Sequence, residues 1–274
     1  MSNSGQVVTC YNNYMKQHSP LVVGNWKMNP ATVGKAKQLF VDVRKGLGRK
    51  KRETQVVIAP PFTYLSELQR LSPSGRIALA AQDVFYEPGG AHTGEVSLPM
   101  LQSVGVTAVI AGHSERRAKG EDDHEIYQDL ATIIKNGVTA IVCVGETNRD
   151  DQGNYFSVVE AQLRSALRAV PKSKLTQLVI AYEPVWAIGT GATATPDDVY
   201  EMSLFIQKVL VDHFGRSAAK KVRLLYGGSV KKKNAATLIA VGNVDGFLVG
   251  GASLKPSEFV SIIEQVETYV KATV

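Results

Sequence analysis

Residues 138–145 read VTAIVCVG, a run of small and β-branched apolar residues that ends in glycine. Its apolar residues follow one another without polar alternation, which is typical of a parallel strand covered on both faces. Seven more runs of this kind occur along the chain. They are LVVGNW (21–26), QVVIAP (55–60), IALAAQ (77–82), VTAVIAG (106–112), QLVIAYE (177–183), VRLLYGG (222–228) and VDGFLVGG (244–251). We therefore predict eight buried parallel strands.

Longer amphipathic stretches lie between these runs and predict helices. In residues 32–47, apolar side chains recur every three or four positions, which places them on one helical face. These side chains are Ala36, Leu39, Phe40, Val43 and Leu47. Residues 157–170, 195–214 and 255–270 have the same pattern.

The repeated strand–helix alternation predicts one domain, a closed (β/α)₈ barrel, over residues 21–274. A doubly wound open sheet is the alternative, but it would normally use fewer strands. We expect residues 1–20, which are polar and low in charge, to form a flexible N-terminal tail. Residues 84–97, VFYEPGGAHTGEVS, predict a long glycine-rich loop, and loops of that length are usually functional or contact a partner.

Net charge, apolar stretches and cysteine content indicate which partners and which cellular compartment to expect. The 274-residue chain has a net charge of +6, which is modest because 31 basic residues are offset by 25 acidic ones. We expect no membrane span, because no stretch of about 18 apolar residues occurs. Cys10 and Cys143 are the only cysteines and have no disulfide or metal-ligand spacing, which favours a reducing compartment such as the cytoplasm.

Polar residues and glycines follow the predicted strands where each strand ends. In a barrel these ends form one rim, which carries the chemistry. Each residue has an ordinary structural explanation by itself, but their coincidence on one rim favours a site. The residues are Asn25, Lys27, His113, Glu183, Gly227, Gly228, Ser229, Gly250 and Gly251.

The residue types on this rim indicate a reaction class. Backbone N–H groups of the glycine pairs, with the hydroxyl of Ser229, can bind a phosphate group. A carboxylate and a neutral imidazole, here Glu183 and His113, can move a proton next to a carbonyl group through an enediolate. The sequence contains no metal-ligand spacing and no dinucleotide-binding motif after the first strand, so we expect a reaction without metal or cofactor.

Six stretches together resemble the triosephosphate isomerase family, in that family's order and from about Leu21 to the chain end. They are GNWKMN (24–29), AGHSERR (111–117), CVGET (143–147), AYEPVWAIGTG (181–191), YGGSV (226–230) and DGFLVGGASL (245–254). The resemblance implies a TIM barrel that interconverts dihydroxyacetone phosphate and D-glyceraldehyde 3-phosphate in glycolysis and gluconeogenesis.

By match to these motifs, the resemblance implies roles for individual residues. Glu183 would be the base and His113 the neutral electrophile. Lys27 would bind the substrate and stabilise its negative charge and that of the transition state, with Asn25 beside it as a further substrate-binding residue. Glu115 would support Lys27 or His113, although an ion pair with an arginine explains it equally well. The phosphate would be bound by Gly189, Ser229, Gly250 and Gly251.

The resemblance also implies a homodimer, in which the loop at 84–97 inserts into the neighbouring subunit and places Thr93 near its active site.

Two other interpretations stay open at this point. One is a barrel isomerase that acts on a larger, phosphoribosyl-type substrate. The other is a non-catalytic homologue or a nucleic-acid binder, for which KKKN (231–234) is the best support. We expect no nucleic-acid partner, because no aromatic residues are interleaved with these lysines.

Overall fold

The computed structural model describes residues 18–72, 75–188 and 193–273, except for the side chain of Thr273. Within these ranges, eight parallel strands close into one barrel in chain order. They are β1 (Leu21–Asn25), β2 (Gln55–Ala59), β3 (Ala78–Ala81), β4 (Val106–Ala111), β5 (Thr139–Val144), β6 (Leu178–Tyr182), β7 (Arg223–Tyr226) and β8 (Gly246–Val249). All eight predicted strands and the closed (β/α)₈ barrel are confirmed, and the open-sheet alternative is wrong.

Helices surround the barrel between successive strands. The α-helices are α1 (Val33–Leu47), α2 (Leu65–Gln69), α3 (Leu98–Ser103), α4 (Ser114–Arg117), α5 (Asp123–Lys135), α6 (Asn154–Leu167), α7 (Pro196–Phe214), α8 (Arg216–Ala219), α9 (Ala235–Val241) and α10 (Pro256–Thr273). Short 3₁₀ turns add Phe62–Tyr64, Lys172–Gln177, Val185–Ala187 and Gly251–Leu254. None of the helices in the described ranges is long and apolar enough to span a membrane.

Local capping explains where two of these helices begin. Thr32 precedes α1, and its side chain accepts a hydrogen bond from the Lys35 N–H, as a threonine N-cap does. The helix predicted over 157–170 begins three residues earlier, at Asn154. Gly153 before it has a φ of 76°, and the Asn154 N–H donates to Asp150 Oδ1 over 3.0 Å. The turn at Gly153 therefore sets this start.

The strands are buried on both faces, as their continuous apolar sequences predict. Inward-facing side chains such as Val23, Ile110 and Leu248 form one cluster inside the barrel. Their neighbours Val22 and Val109 belong to a larger cluster between the strands and the helices. Successive side chains of a strand point to opposite faces, so each strand supplies both apolar layers.

The barrel closes where β8 pairs with β1, with Leu21 opposite Gly246. Gly246 has a φ of 147°, and a Cβ atom there would collide with the carbonyl oxygen of Leu21. A side chain at this position would therefore push the two strands apart. Glycine permits both the backbone conformation and the close approach.

Two regions lie outside this regular pattern. Most of the predicted tail, residues 1–17, lies outside the described residues. From its last residues, Pro20 accepts a hydrogen bond from the Gln55 N–H over 2.7 Å. The predicted loop at 84–97 contains no helix or extended strand, and its residues 87–95 are exposed.

One buried carboxylate links the last helix to the segment before β2. Glu267 in α10 accepts hydrogen bonds from the Thr54 N–H at 2.9 Å and the Thr54 hydroxyl at 2.8 Å. The Glu53 N–H donates to it as well, and Lys271 lies 3.0 Å from it. Burial by itself raises the pKa of this carboxyl, but these donors outweigh burial and lower the pKa to about 2.

We expect Glu267→Gln to lower the free energy of unfolding by at least about 1 kcal/mol at pH 7, because an amide group would face several N–H donors. A lowered pKa means that the carboxylate stabilises the fold above its unfolded pKa and loses this effect as the pH falls towards 2. The difference between variant and wild type should therefore shrink below about pH 4.5. Denaturant melts at several pH values measure it.

Glu264→Gln is the matched control in the same helix, because this more exposed side chain makes only a 3.7 Å ion pair with Arg52. Its cost should stay within about 0.5 kcal/mol. Equal losses in both variants, or a Glu267→Gln loss that does not change with pH, would contradict the role of the Glu267 hydrogen bonds.

Candidate active site

A cavity of about 850 Å³ opens at the carboxyl ends of the strands. It contains almost all of the rim residues that the sequence singles out. Those lining it are Asn25, Lys27, His113, Glu115, Glu183, Gly227, Gly228, Ser229, Gly250 and Gly251. Gly189, the remaining predicted residue, lies outside the described residues. The closed barrel thus brings together residues that are more than 200 positions apart in the chain.

The carboxylate of Glu183 is buried at the base of this cavity. Its side chain is 3% exposed, and its Oε1 lies 3.1 Å from Nε2 of His113. Its other oxygen accepts a hydrogen bond from the Ser114 N–H over 2.9 Å. A buried carboxylate is costly without such partners, so the start of α4 and the imidazole together hold it in place.

The contacts of His113 determine which of its nitrogens carries a proton. Its Nδ1 accepts a hydrogen bond from the Glu115 N–H over 3.2 Å. A nitrogen that accepts must be unprotonated, so the proton of the neutral ring is on Nε2. That Nε2–H faces Glu183 and the cavity. The imidazole can therefore donate a hydrogen bond to an oxygen atom that enters the site.

Lys27 is held at the mouth by an unusual backbone conformation. Its φ is 53°, a value that non-glycine residues rarely adopt outside strained or functional positions. The Lys27 N–H donates to Asn25 Oδ1 over 2.9 Å, and its carbonyl accepts from Gln82 over 2.8 Å. Its ammonium group lies 2.7 Å from Glu115 Oε1. Glu115 also lies 3.9 Å from Nδ1 of His113, and it forms no ion pair with an arginine among the described residues.

The glycines of the rim leave room for Glu183, for Lys27 and for a ligand. A Cβ atom at Gly227 would lie 2.9 Å from Cγ of Glu183, so any larger residue would displace the carboxylate. At Gly250 it would lie 3.3 Å from Cε of Lys27, and at Gly251 it would meet nothing within 4 Å. Backbone groups at Gly250 and Gly251 are thus accessible beside the ammonium group.

Several residues of the site were not predicted from the sequence. Lys231 and Lys255 line the cavity and add positive charge near Ser229 and Gly251. Gln82 holds the backbone of Lys27, as described above. Lys231 is the first residue of the basic run KKKN, and no pattern in the sequence predicts that it reaches the mouth.

Another unpredicted group lies behind the segment that follows Glu183. Trp186 donates its indole N–H to Glu146 Oε1 over 2.7 Å, and Tyr182 donates its hydroxyl to the same oxygen. Arg149 contacts Glu146 over 3.2 Å and Asp198 over 2.9 Å. Its guanidinium group also lies 5.6 Å from the Trp186 ring. These contacts connect the 3₁₀ turn at 185–187 to the start of α7.

Comparison with known proteins agrees with this geometry. A family model described as Triosephosphate isomerase matches residues 20–266. Two similar proteins named triosephosphate isomerase come from Roseiflexus sp. (strain RS-1) and Carboxydothermus hydrogenoformans. The first is 45% identical over 89% of this chain and 96% of its own length. The second is 46% identical over 89% of this chain and 98% of its own length.

Within the described residues, one group of three acidic side chains has ligand atoms close enough to hold a metal ion: Asp83, Glu121 and Asp129 lie within 4.8 Å of one another. None of them lines the cavity at the mouth. Arg116 contacts Asp83 and Glu121, so one cation already lies among them. Burial, together with neighbouring carboxylates, raises the pKa of Asp83 to about 7 and that of Asp129 to about 8.

These raised pKa values predict that the cluster of three acidic side chains destabilises the fold at alkaline pH. The unfolded carboxyl of Asp129 ionises near pH 3.8, whereas the folded one keeps its proton to about pH 8. Stability therefore falls as the pH rises through this window. We expect Asp129→Asn to raise the melting temperature above the wild-type value by at least about 2 °C at pH 9, with a smaller gain at pH 5.

Asp151→Asn is a control, because Asp151 is exposed in a turn. It should change the melting temperature little at either pH. A gain for Asp129→Asn that is the same at pH 5 and pH 9 would show that relief of charge repulsion is not its cause.

Proposed function

The chain belongs to the triosephosphate isomerase family, and we infer from this membership that it interconverts dihydroxyacetone phosphate and D-glyceraldehyde 3-phosphate. The reaction is a step of glycolysis and gluconeogenesis. The observation that carries this function most directly is the buried Glu183 carboxylate, which faces the Nε2–H of a neutral imidazole beside a lysine at the mouth of the barrel.

We propose that Glu183 and His113 perform the proton transfer. The carboxylate removes a proton from the carbon next to the carbonyl group, and the Nε2–H of His113 donates a hydrogen bond to the oxygen that gains negative charge. A proton then passes from the hydroxyl oxygen to the former carbonyl oxygen by way of His113 Nε2, and Glu183 returns its proton to the neighbouring carbon, which exchanges ketose and aldose. The 3.1 Å contact between the two side chains supports this, because both groups can reach one small substrate.

Lys27 is proposed to stabilise the negative charge of the substrate and the enediolate. Its side chain is 29% exposed and lines the cavity, so it remains accessible to a ligand while Glu115 holds its ammonium group. Asn25 positions the backbone of Lys27 through the hydrogen bond to its N–H. We therefore assign Glu115 and Asn25 to positioning this cation.

The phosphate group is proposed to bind at Ser229, Gly250 and Gly251, with Gly189 as a fourth contact. Glycine backbones can donate N–H groups to phosphate without steric hindrance. Lys231 and Lys255, which line the same part of the cavity, increase the local positive charge. In this proposal the phosphate lies close to Lys27, and the other end of the substrate reaches Glu183 and His113.

A coupled assay tests the activity directly. Glyceraldehyde 3-phosphate is supplied with a chelator and without any added cofactor, and the formation of dihydroxyacetone phosphate is followed. Turnover under these conditions supports both the reaction and the proposed independence from a metal or cofactor. Absence of turnover by the folded protein contradicts the proposed function.

We further propose that the enzyme is a cytoplasmic homodimer. Residues 87–95 of the loop at 84–97 are exposed, and Met28, which follows Lys27 in the chain, is 93% exposed. A loop of this length fits contact with a partner, and Met28 is an apolar side chain that such a partner can cover. In the proposed dimer, the loop inserts near the partner's active site and brings Thr93 close to it.

Glu183→Asp should lower kcat strongly and leave KM almost unchanged. The shorter side chain withdraws the carboxylate by roughly 1 Å, a misplacement that can cost about 100-fold in rate, whereas the phosphate contacts lie elsewhere. Steady-state kinetics measure both constants, and binding of an inert phosphorylated analogue serves as the control for an intact site. Near-normal kcat would contradict the assignment of Glu183 as the base.

Lys27→Met should weaken the binding of an anionic transition-state analogue and almost abolish turnover, because the unbranched methionine side chain retains most of the length of lysine without its charge. Lys208→Met is the control, since Lys208 makes an exposed helical ion pair with Asp212. This control should retain wild-type turnover. A Lys27→Met variant that unfolds, yet has normal activity per folded molecule, would make Lys27 structural.

Sedimentation at micromolar concentration tests the dimer. We expect the wild type to sediment as a dimer and the Met28→Glu variant to dissociate more readily, because a carboxylate would be buried in the interface. A fully active wild-type monomer at this concentration would contradict the proposed assembly.

A further inference from the structure

A second cavity, of about 560 Å³, lies at the opposite end of the barrel from the catalytic residues. Its walls are the amino ends of β2 and β3, at Gln55 and Ala78, and the loops that lead into these strands. Catalytic residues of such barrels lie at the carboxyl ends of the strands. This cavity is therefore separate from the active site.

Among the described residues, those that line the cavity include five cations and no acidic residue. The cations are Arg49, Lys50, Lys51, Arg52 and Arg76. Four of them form the continuous run RKKR at 49–52. Among the residues that the structure describes, Arg49, Lys50 and Lys51 have no acceptor and no ion-pair partner. Their charges are available to a bound anion.

Two arginines connect the backbone segments that form the walls of the cavity. Arg52 donates to the carbonyl of Leu47 over 2.9 Å, and Arg76 donates to the carbonyl of Gly48 over 3.0 Å. The Arg76 contact holds the loop before β3 against the loop before β2, and the Arg52 contact closes the loop before β2 on itself. The Nε–H of Arg52 is buried and has no acceptor in the described part of the chain. A buried donor without an acceptor requires an explanation, and a bound ion is one.

The acidic side chains near these cations do not neutralise them. Glu53 follows the run directly in the chain, but it is exposed and forms no ion pair with these cations in the described structure. Glu267 is already bonded to Thr54 and to Lys271. Glu264 contacts Arg52 at 3.7 Å, with a side chain that is 56% exposed, so its interaction is weak. The cavity therefore has a substantial excess of positive charge.

We propose that this cavity binds a small anion with two or more phosphate groups. Its volume lies within the range of about 300–1,000 Å³ that is usual for small-molecule sites. One phosphate group carries about −1.5 to −2 charges, which leaves most of five cations unmatched, whereas a di- or triphosphate matches them. Guanidinium groups also bind phosphate oxygens through paired N–H donors.

The lining favours a small phosphate ligand over nucleic acid. Single-stranded nucleic acids are usually bound by aromatic side chains on which the bases stack, and the residues that line this cavity include none. A concave cationic site between two loops fits a compact polyphosphate. This inference does not depend on the isomerase activity, because it concerns the other end of the barrel.

Inorganic tripolyphosphate, titrated into the full-length protein by calorimetry at 0.15 M salt, tests the proposal. The titration is performed with and without saturating glycerol 3-phosphate, which occupies the catalytic mouth. We expect one site per chain that persists when the mouth is occupied. The exposed pair Lys50→Ala/Lys51→Ala should weaken this binding by at least about tenfold, as expected for the loss of charged hydrogen-bond donors.

Lys135→Ala/Lys172→Ala is the matched control, because it removes two exposed lysines from the same end of the barrel but outside the cavity. It should change the affinity by less than about twofold. Three results would overturn the proposal: no binding, equal weakening in both double variants, or binding that disappears when glycerol 3-phosphate is present. Tighter binding of a mixed-sequence RNA oligonucleotide than of tripolyphosphate would also overturn it, in favour of a nucleic-acid surface.

Discussion

The pairing of β8 with β1 is the constraint on which the remaining structure depends. It turns eight consecutive strands into a ring, and only a ring places the carboxyl ends of all strands around one opening. The close approach of Gly246 to the Leu21 carbonyl permits this closure. Without it, Lys27 after β1 and Gly250 after β8 would lie at opposite edges of an open sheet. Closure therefore brings the ammonium group of Lys27 next to the proposed phosphate site at Gly250.

The mouth of the barrel places a buried carboxylate and a strained lysine side by side, and the surrounding chain makes this arrangement possible. Glu183 is buried, yet it keeps two hydrogen-bonding partners, Ser114 and His113. The missing side chain of Gly227 gives the carboxylate its space. Lys27 keeps a left-handed backbone because Asn25 and Gln82 satisfy its N–H and carbonyl groups. Strain and burial at this rim are therefore supported by specific local hydrogen bonds.

Much of the fold could be predicted from the sequence because local patterns determine it. Continuous apolar runs such as 138–145 correspond to strands, and the apolar stripe that includes Phe40 marks the buried face of α1. The start of α6 could not be predicted, since the turn at Gly153 decides it.

Among site residues, recognisable motifs identified Lys27, His113 and Glu183 as candidates, and the cavity brings them together. Contacts between distant segments, such as those of Arg149 with Asp198 and of Asp83 with Asp129, left no local signal. They depend on tertiary packing alone.

The two tryptophans of the chain occupy different environments, which gives the protein a built-in optical probe. Trp26 is fully buried. Trp186 is partly exposed at the edge of the mouth, with its indole bonded to Glu146 and facing the guanidinium group of Arg149. A water-soluble quencher reaches Trp186 and is excluded from Trp26. The fluorescence that a quencher removes therefore comes from Trp186 and reports on the segment after β6. The fluorescence that remains comes from Trp26 and reports on the integrity of the barrel. Both signals are read in the same sample and without any label.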